Sequence, residues 1–209
     1  MRRLVAGWLA AATILAGGSR ALAQEPRACE ARLAPIVSAM EEDARRTRVW
    51  YWSWMAAGVG LIGGQAALAS VSSGDFRLEM TTGALTSIAI PTILLVHAPE
   101  ILADGPRLEA RLALTEVLGR PGDPCISVLR ARELLARDAA DERLAKSWAA
   151  HTLAIGFNVA VGLVLGLGFH DWPGAAKQLV GGSLVGEAQI WTLPGVSLRA
   201  EGMGIGGTF

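Results

Sequence analysis

The sequence predicts an all-α protein: a four-span transmembrane helix bundle with an extracytoplasmic three-helix extension, preceded by a cleavable signal peptide. Three observations carry that prediction. Of 209 residues, 52% are hydrophobic and only 18% charged, whereas an ordinary soluble domain is about a quarter charged. Beyond residue 48, apolar residues gather into four long segments. The six tryptophans beyond the N-terminal segment stand at the ends of those segments, where an indole can keep its ring in hydrocarbon and its N–H among headgroups. Net charge is zero, with 19 basic against 19 acidic residues, so no global field favours a nucleic-acid partner.

The N-terminus sets the compartment. Met1-Arg2-Arg3 is basic, Leu4 to Gly18 is apolar, and Ala21-Leu22-Ala23 supplies a small-x-small site, the three-part secretory pattern. The apolar stretch makes about 22 Å of helix, short for a hydrocarbon core of roughly 30 Å. Residues 1–23 are therefore read as a signal peptide, and residues 24–48 as an extracytoplasmic amphipathic helix with Pro35 in its first turn. Residues 49–100 form a first transmembrane hairpin, with Trp52 to Val71 and Thr81 to His97 as its apolar arms and Ser72 to Met80 as its loop. Residues 101–147 form an extracytoplasmic helical segment. In it, one helix starts at Pro106 and continues through Leu108, Leu112, Thr115 and Leu118. Gly119, Pro121, Gly122 and Pro124 then break the chain, and a second helix runs from Cys125 straight into the next span. Residues 148–195 form a second hairpin, with arms Trp148 to Phe169 and Ala176 to Pro194 joined by a loop at His170 to Ala175. Residues 196–209 are a flexible or edge-like tail. The chain so divided is a multi-pass protein of the inner (cytoplasmic) membrane. Arg45, Arg46 and Arg48 oppose this orientation, since basic residues normally stay cytoplasmic; the signal pattern is the more specific of the two indications.

At an offset of 96, Cys29 aligns with Cys125, Leu33 with Leu129, Ala44 with Ala140, Trp52 with Trp148 and Gly60 with Gly156. Each half then reads cysteine, amphipathic helix, span, short loop, span. Two crossings separate the cysteines, which places both on one side of the membrane. In an oxidising compartment two such cysteines pair, so a Cys29–Cys125 disulfide is expected at the tip of the extension.

Little in the sequence points to catalysis. Gly58, Gly60 and Gly63, and again Gly202, Gly204 and Gly207, match G-x-G-x-x-G, but the phosphate-binding version needs a strand before it and a helix N-terminus after it. The three histidines, His97, His151 and His170, have no metal-ligand spacing. The chain is therefore read as a non-enzyme with no cofactor and no metal. Three G-x-x-x-G pairs, Gly60/Gly64, Gly162/Gly166 and Gly182/Gly186, offer flat strips for close helix approach. Polar residues within spans are the remaining candidates, because burying them in hydrocarbon is costly. Glu187, Asn158, His151 and Gln65 form a candidate intramembrane polar site, and Glu187 is expected to face inward with His151 or Asn158 as partner. The resulting function is a structural, assembly or partner-binding role in the bacterial cell envelope; the alternative is a small channel or transporter subunit with a polar path around Glu187. Partners are the lipid bilayer, a protein docking on the extracytoplasmic helices, or a second copy.

Overall fold

The computed structural model describes residues 2–108 and 124–196, with side chains at residues 28–108 and 125–196. The described residues are helical, without strands. The side chains of the signal segment, the positions from Leu112 to Gly122, and the tail after Val196 lie outside the described residues. In chain order the helices are α1 (Arg2–Val71), α2 (Gly74–Ser87), α3 (Ala89–Val96), α4 (101–108), α5 (Pro124–Ala145), α6 (Trp148–Leu163) and α7 (Trp172–Trp191), with a π-turn at Val164–Gly168 closing α6.

Three stretches are long and apolar enough to cross a membrane: Ala28–Val71, Gly74–Leu108 and Cys125–Gly168. Only 11%, 11% and 22% of their apolar windows are buried within the protein. Leucines and valines such as Leu153, Leu184, Val164 and Leu167 point outward at 58–74% exposure. A soluble protein does not leave apolar surface of this extent in water, so the chain is a membrane protein. The fourth expected span, α7, has the length but not the composition, because Lys177, Gln178, Glu187 and Gln189 dilute it.

The helices form two antiparallel hairpins. On the first, α2 and α3 run back along α1: Gln65 meets Gly83 and Ser87, and Gly58 meets Ile90 and Pro91. The expected nine-residue loop is a two-residue turn at Ser72–Ser73, since α2 begins at Gly74, whose φ of 60° suits glycine. The return arm is interrupted at Ile88, three residues before Pro91. On the second hairpin, α7 runs back along α6, with Gly162 against the Ala175 carbonyl, Gly182 against Asn158 and Gly186 against Ala154. Two of the three glycine pairs thus serve close packing. Gly60 and Gly64 do not: a Cβ on either would meet nothing within 4 Å. Asp171 caps α7 by accepting the Gly174 N–H at 2.9 Å, one turn before the expected start of this arm.

Above the hairpins, α1, α4 and α5 form a three-helix stalk. Its core is Ile36 and Met40 from α1, Leu108 from α4, and Val128, Ala131 and Leu135 from α5. The Cys29–Cys125 disulfide is present, closing a 96-residue separation with the Cα atoms 5.0 Å apart. Three expectations need correction here. Helix α1 runs through Pro35 to the cysteine and does not start there; the backbone bond that proline removes is lost beside the disulfide and the packed Leu33. Residues 101–108 are already helical, with the Asp104 N–H on the Glu100 carbonyl at 3.0 Å, so Pro106 lies within α4. And α5 does not run straight into α6: Ser147 is extended (ψ 160°) and starts a new helix. The tail also begins packed, with Val196 in the stalk core at 3% exposure and its N–H donated to Glu142.

The two long stalk helices carry matching stripes. On α1 the buried positions include Ile36, Met40, Asp43 and Thr47; on α5 they include Ala131, Leu135, Asp138 and Glu142. Both are apolar toward the cysteines and polar toward the hairpins. Their register is one residue short of the cysteine offset, which is why Leu129, paired with Leu33 by sequence, lies exposed at 66%.

Candidate functional site

A chamber of about 1020 Å³ lies between the two hairpins. Its walls follow from the segregation of contacts: α2 and α3 pack on α1, α7 packs on α6, and the hairpins meet mainly at their ends. At the stalk end, the indole N–H groups of Trp50 and Trp54 both donate to the Thr192 hydroxyl at 3.1 Å. At the far end, the Lys177 ammonium meets the Glu79 carboxylate at 2.8 Å, across an α2–α7 gap. Beside that pair the Gln178 amide reaches Asn158 Oδ1 at 3.1 Å and the Thr86 hydroxyl at 3.5 Å. From Lys177 to Ile190, both lining the chamber, α7 rises about 20 Å at 1.5 Å per residue.

The middle of the chamber is apolar, formed by residues such as Ile90, Ile93, Leu153 and Phe157. Ile93 and Phe157 are also 53% and 46% exposed, so they stand where the space opens to the outside of the protein. The stalk end is acidic: Glu100, Asp138, Asp141 and Glu142 all line it. Glu142 is engaged there, taking Lys146 at 2.8 Å and the Val196 N–H.

The four residues expected to form one polar site fall into two groups. Gln65 and Asn158 line the chamber. Gln65 accepts from the Ser87 hydroxyl at 3.0 Å, and Asn158 donates to the Ala154 carbonyl while accepting from Gln178. Glu187 and His151 lie together elsewhere, 2.7 Å apart, in a small recess with Trp148, Ile155 and Trp191. Glu187 also accepts from the Trp191 indole at 3.2 Å. It sits one helical turn from Trp191 and does not line the chamber.

Sequence reasoning missed the carboxylates of the stalk base. Asp104 and Asp138 are buried at 2% and 3% exposure, and Arg137 pairs with both Glu100 (2.6 Å) and Asp104. Loss of solvation, then the nearby Asp104 charge, push the Asp138 carboxyl up to about 7. Asp104 in turn raises Arg137. A signal did exist: Glu100 and Asp104 are four apart on one helix face, and Asp138 continues the apolar stripe Ala131–Leu135. A carboxylate in a core register is a conflict worth marking.

No protein family matches the chain, nor does any curated protein or solved structure.

The ion pair closing the far end can be tested directly. Glu79 is 12% exposed and Lys177 67%, so removing the lysine leaves the more buried partner uncompensated. Lys177→Met should lower the melting temperature in micelles, and Glu79→Gln added to it should recover most of the loss. Equal, additive losses would show that the pair does not couple the hairpins.

Proposed function

We propose that this is a multi-pass inner-membrane protein of the cell envelope with a non-catalytic, binding role, holding one lipid-like amphiphile in the chamber between its hairpins. The signal pattern and the disulfide support an extracytoplasmic stalk. Helix α7 then makes the fourth crossing, since it lies antiparallel along α6 and its Lys177, Gln178 and Glu187 each have a protein partner, with only Glu187 Oε1 left unbonded. The observation that carries the binding reading is the chamber itself: about 1020 Å³, apolar at mid-depth, polar at both ends. Ligand sites run to about 300–1,000 Å³. The chamber stands at the upper end of that range, which suits a large amphiphile. Acids at the stalk end favour a head group bearing an ammonium over a bare anion. A polar path through Glu187 has less support, because that carboxylate shares no cavity with Asn158 and Gln65.

Gly181 lines the chamber, and a Cβ there would touch nothing within 4 Å. Gly181→Trp should therefore fill the space without disturbing the α6–α7 contact. Native mass spectrometry of protein released from nanodiscs containing phosphatidylethanolamine should show one retained lipid on the wild type and none on the variant. Equal retention by both, or none by either, would overturn the reading.

A further inference from the structure

Arginine pairs account for two carboxylates of the cluster at the stalk base but not for the third. Glu100, Asp104 and Asp138 each present one oxygen, and the three oxygens lie within 4.8 Å of one another. Two helices supply them: Glu100 and Asp104 from the start of α4, one turn apart, and Asp138 from α5. Asp138 is 97% buried by its 3% exposure, and neither of its oxygens meets a hydrogen-bond donor among the described residues. An ionised carboxylate in that setting costs several kcal/mol unless something compensates it. Arg137 pairs with Glu100 and Asp104, and Arg107 with Asp104 at 3.5 Å. Asp138 is the carboxylate they leave without a counter-ion.

We propose that Glu100, Asp104 and Asp138 bind a hard divalent cation, calcium, which ties α4 to α5 at the base of the stalk. Carboxylate oxygens select hard cations over the softer transition metals. Between the two common ones, magnesium demands near-ideal octahedral geometry, whereas calcium takes 6–8 oxygens in flexible arrangements. Calcium also accepts an irregular set completed by water, and the half-exposed Glu100 provides a wet side. Arg137, itself 52% exposed, can stay on the outer face of the carboxylates. The cation would satisfy the buried Asp138 oxygens and compensate the carboxylate that the two arginines do not reach. Glu100 and Asp138 also line the stalk end of the chamber; a cation on them leaves Asp141 to meet a lipid head group there, and its binding does not require the lipid.

Isothermal titration of the chelator-stripped full chain in neutral-detergent micelles, with calcium chloride at constant ionic strength, tests it. The wild type should bind one calcium ion per chain and melt at a higher temperature when loaded, with magnesium weaker. Asp138→Asn and the more exposed Glu100→Gln should each weaken binding by at least about tenfold, as affinity follows ligand charge count. Glu133→Gln, an exposed acid of α5 outside both the cluster and the chamber, should bind as wild type does. Absence of saturable heat in the wild type would overturn the proposal. So would unchanged affinity in both cluster variants, or an equal loss in Glu133→Gln, which would mark diffuse attraction to an acidic surface.

Discussion

Replacing Cys29 with Ser should destabilise the stalk by about 4 kcal/mol. The bond closes a 96-residue separation, and the chain-entropy model gives about 4–5 kcal/mol for a loop near that length. That figure is a ceiling here. If the hairpins stay inserted while the stalk unfolds, the open chain is already restricted by the membrane, so the crosslink removes less freedom than in water. The stalk core is small, so it has little with which to replace the constraint. Cys125→Ser should match Cys29→Ser, and the double variant should cost no more than either one. Denaturation in micelles, followed by helix content, measures this. Stability unchanged by reduction would mean that the three helices hold the stalk unaided.

Gly182→Leu should be almost as damaging, at about 3 kcal/mol, in the upper part of the overpacking range. A Cβ on Gly182 would overlap Asn158 Oδ1. Moving that side chain breaks its contact with Gln178, one of the links at the far end of the chamber. The neighbouring small residues leave no slack, because a Cβ on Gly186 would stand 3.2 Å from Ala154 and one on Gly162 3.2 Å from the Ala175 carbonyl. Gly60→Leu is the control. It adds the same volume to α1 where nothing lies within 4 Å, and its effect should be small. Equal losses in the two variants would contradict the assignment of which glycine strips are packed.

The contrast between those glycines shows where sequence reading reaches its limit. All three G-x-x-x-G pairs look alike in the sequence, because spacing places them on one helix face but says nothing about what that face meets. Hydropathy and tryptophan placement made the membrane helices legible, since bilayer solvation acts on each segment by itself. The disulfide was legible too, from crossing parity and compartment. Relations between helices were not. Glu187 and Asn158 are both polar residues of spans, yet one faces a small recess and the other the chamber. Helix rotation, set by packing, decides that. The acid cluster was hidden for a related reason: Glu100 and Asp138 are 38 positions apart and read as ordinary charged residues of amphipathic helices until the stalk brings them together. Helix breaks such as Ser147 escaped because one extended residue leaves the apolar period on either side almost intact.

The account depends above all on two membrane hairpins with the disulfide-tipped stalk outside, and thiol labelling in intact cells tests that most directly. With Cys29 and Cys125 joined, a single added cysteine reports its own side to a membrane-impermeant maleimide. Glu133→Cys on the stalk and Gly195→Cys after α7 should label from outside. Ser73→Cys and His170→Cys, at the two hairpin turns, should label only after the membrane is opened. Labelling of Gly195→Cys and His170→Cys from the same side would mean that α7 does not cross. Labelling of Ser73→Cys and Glu133→Cys from the same side would contradict the hairpin architecture as a whole.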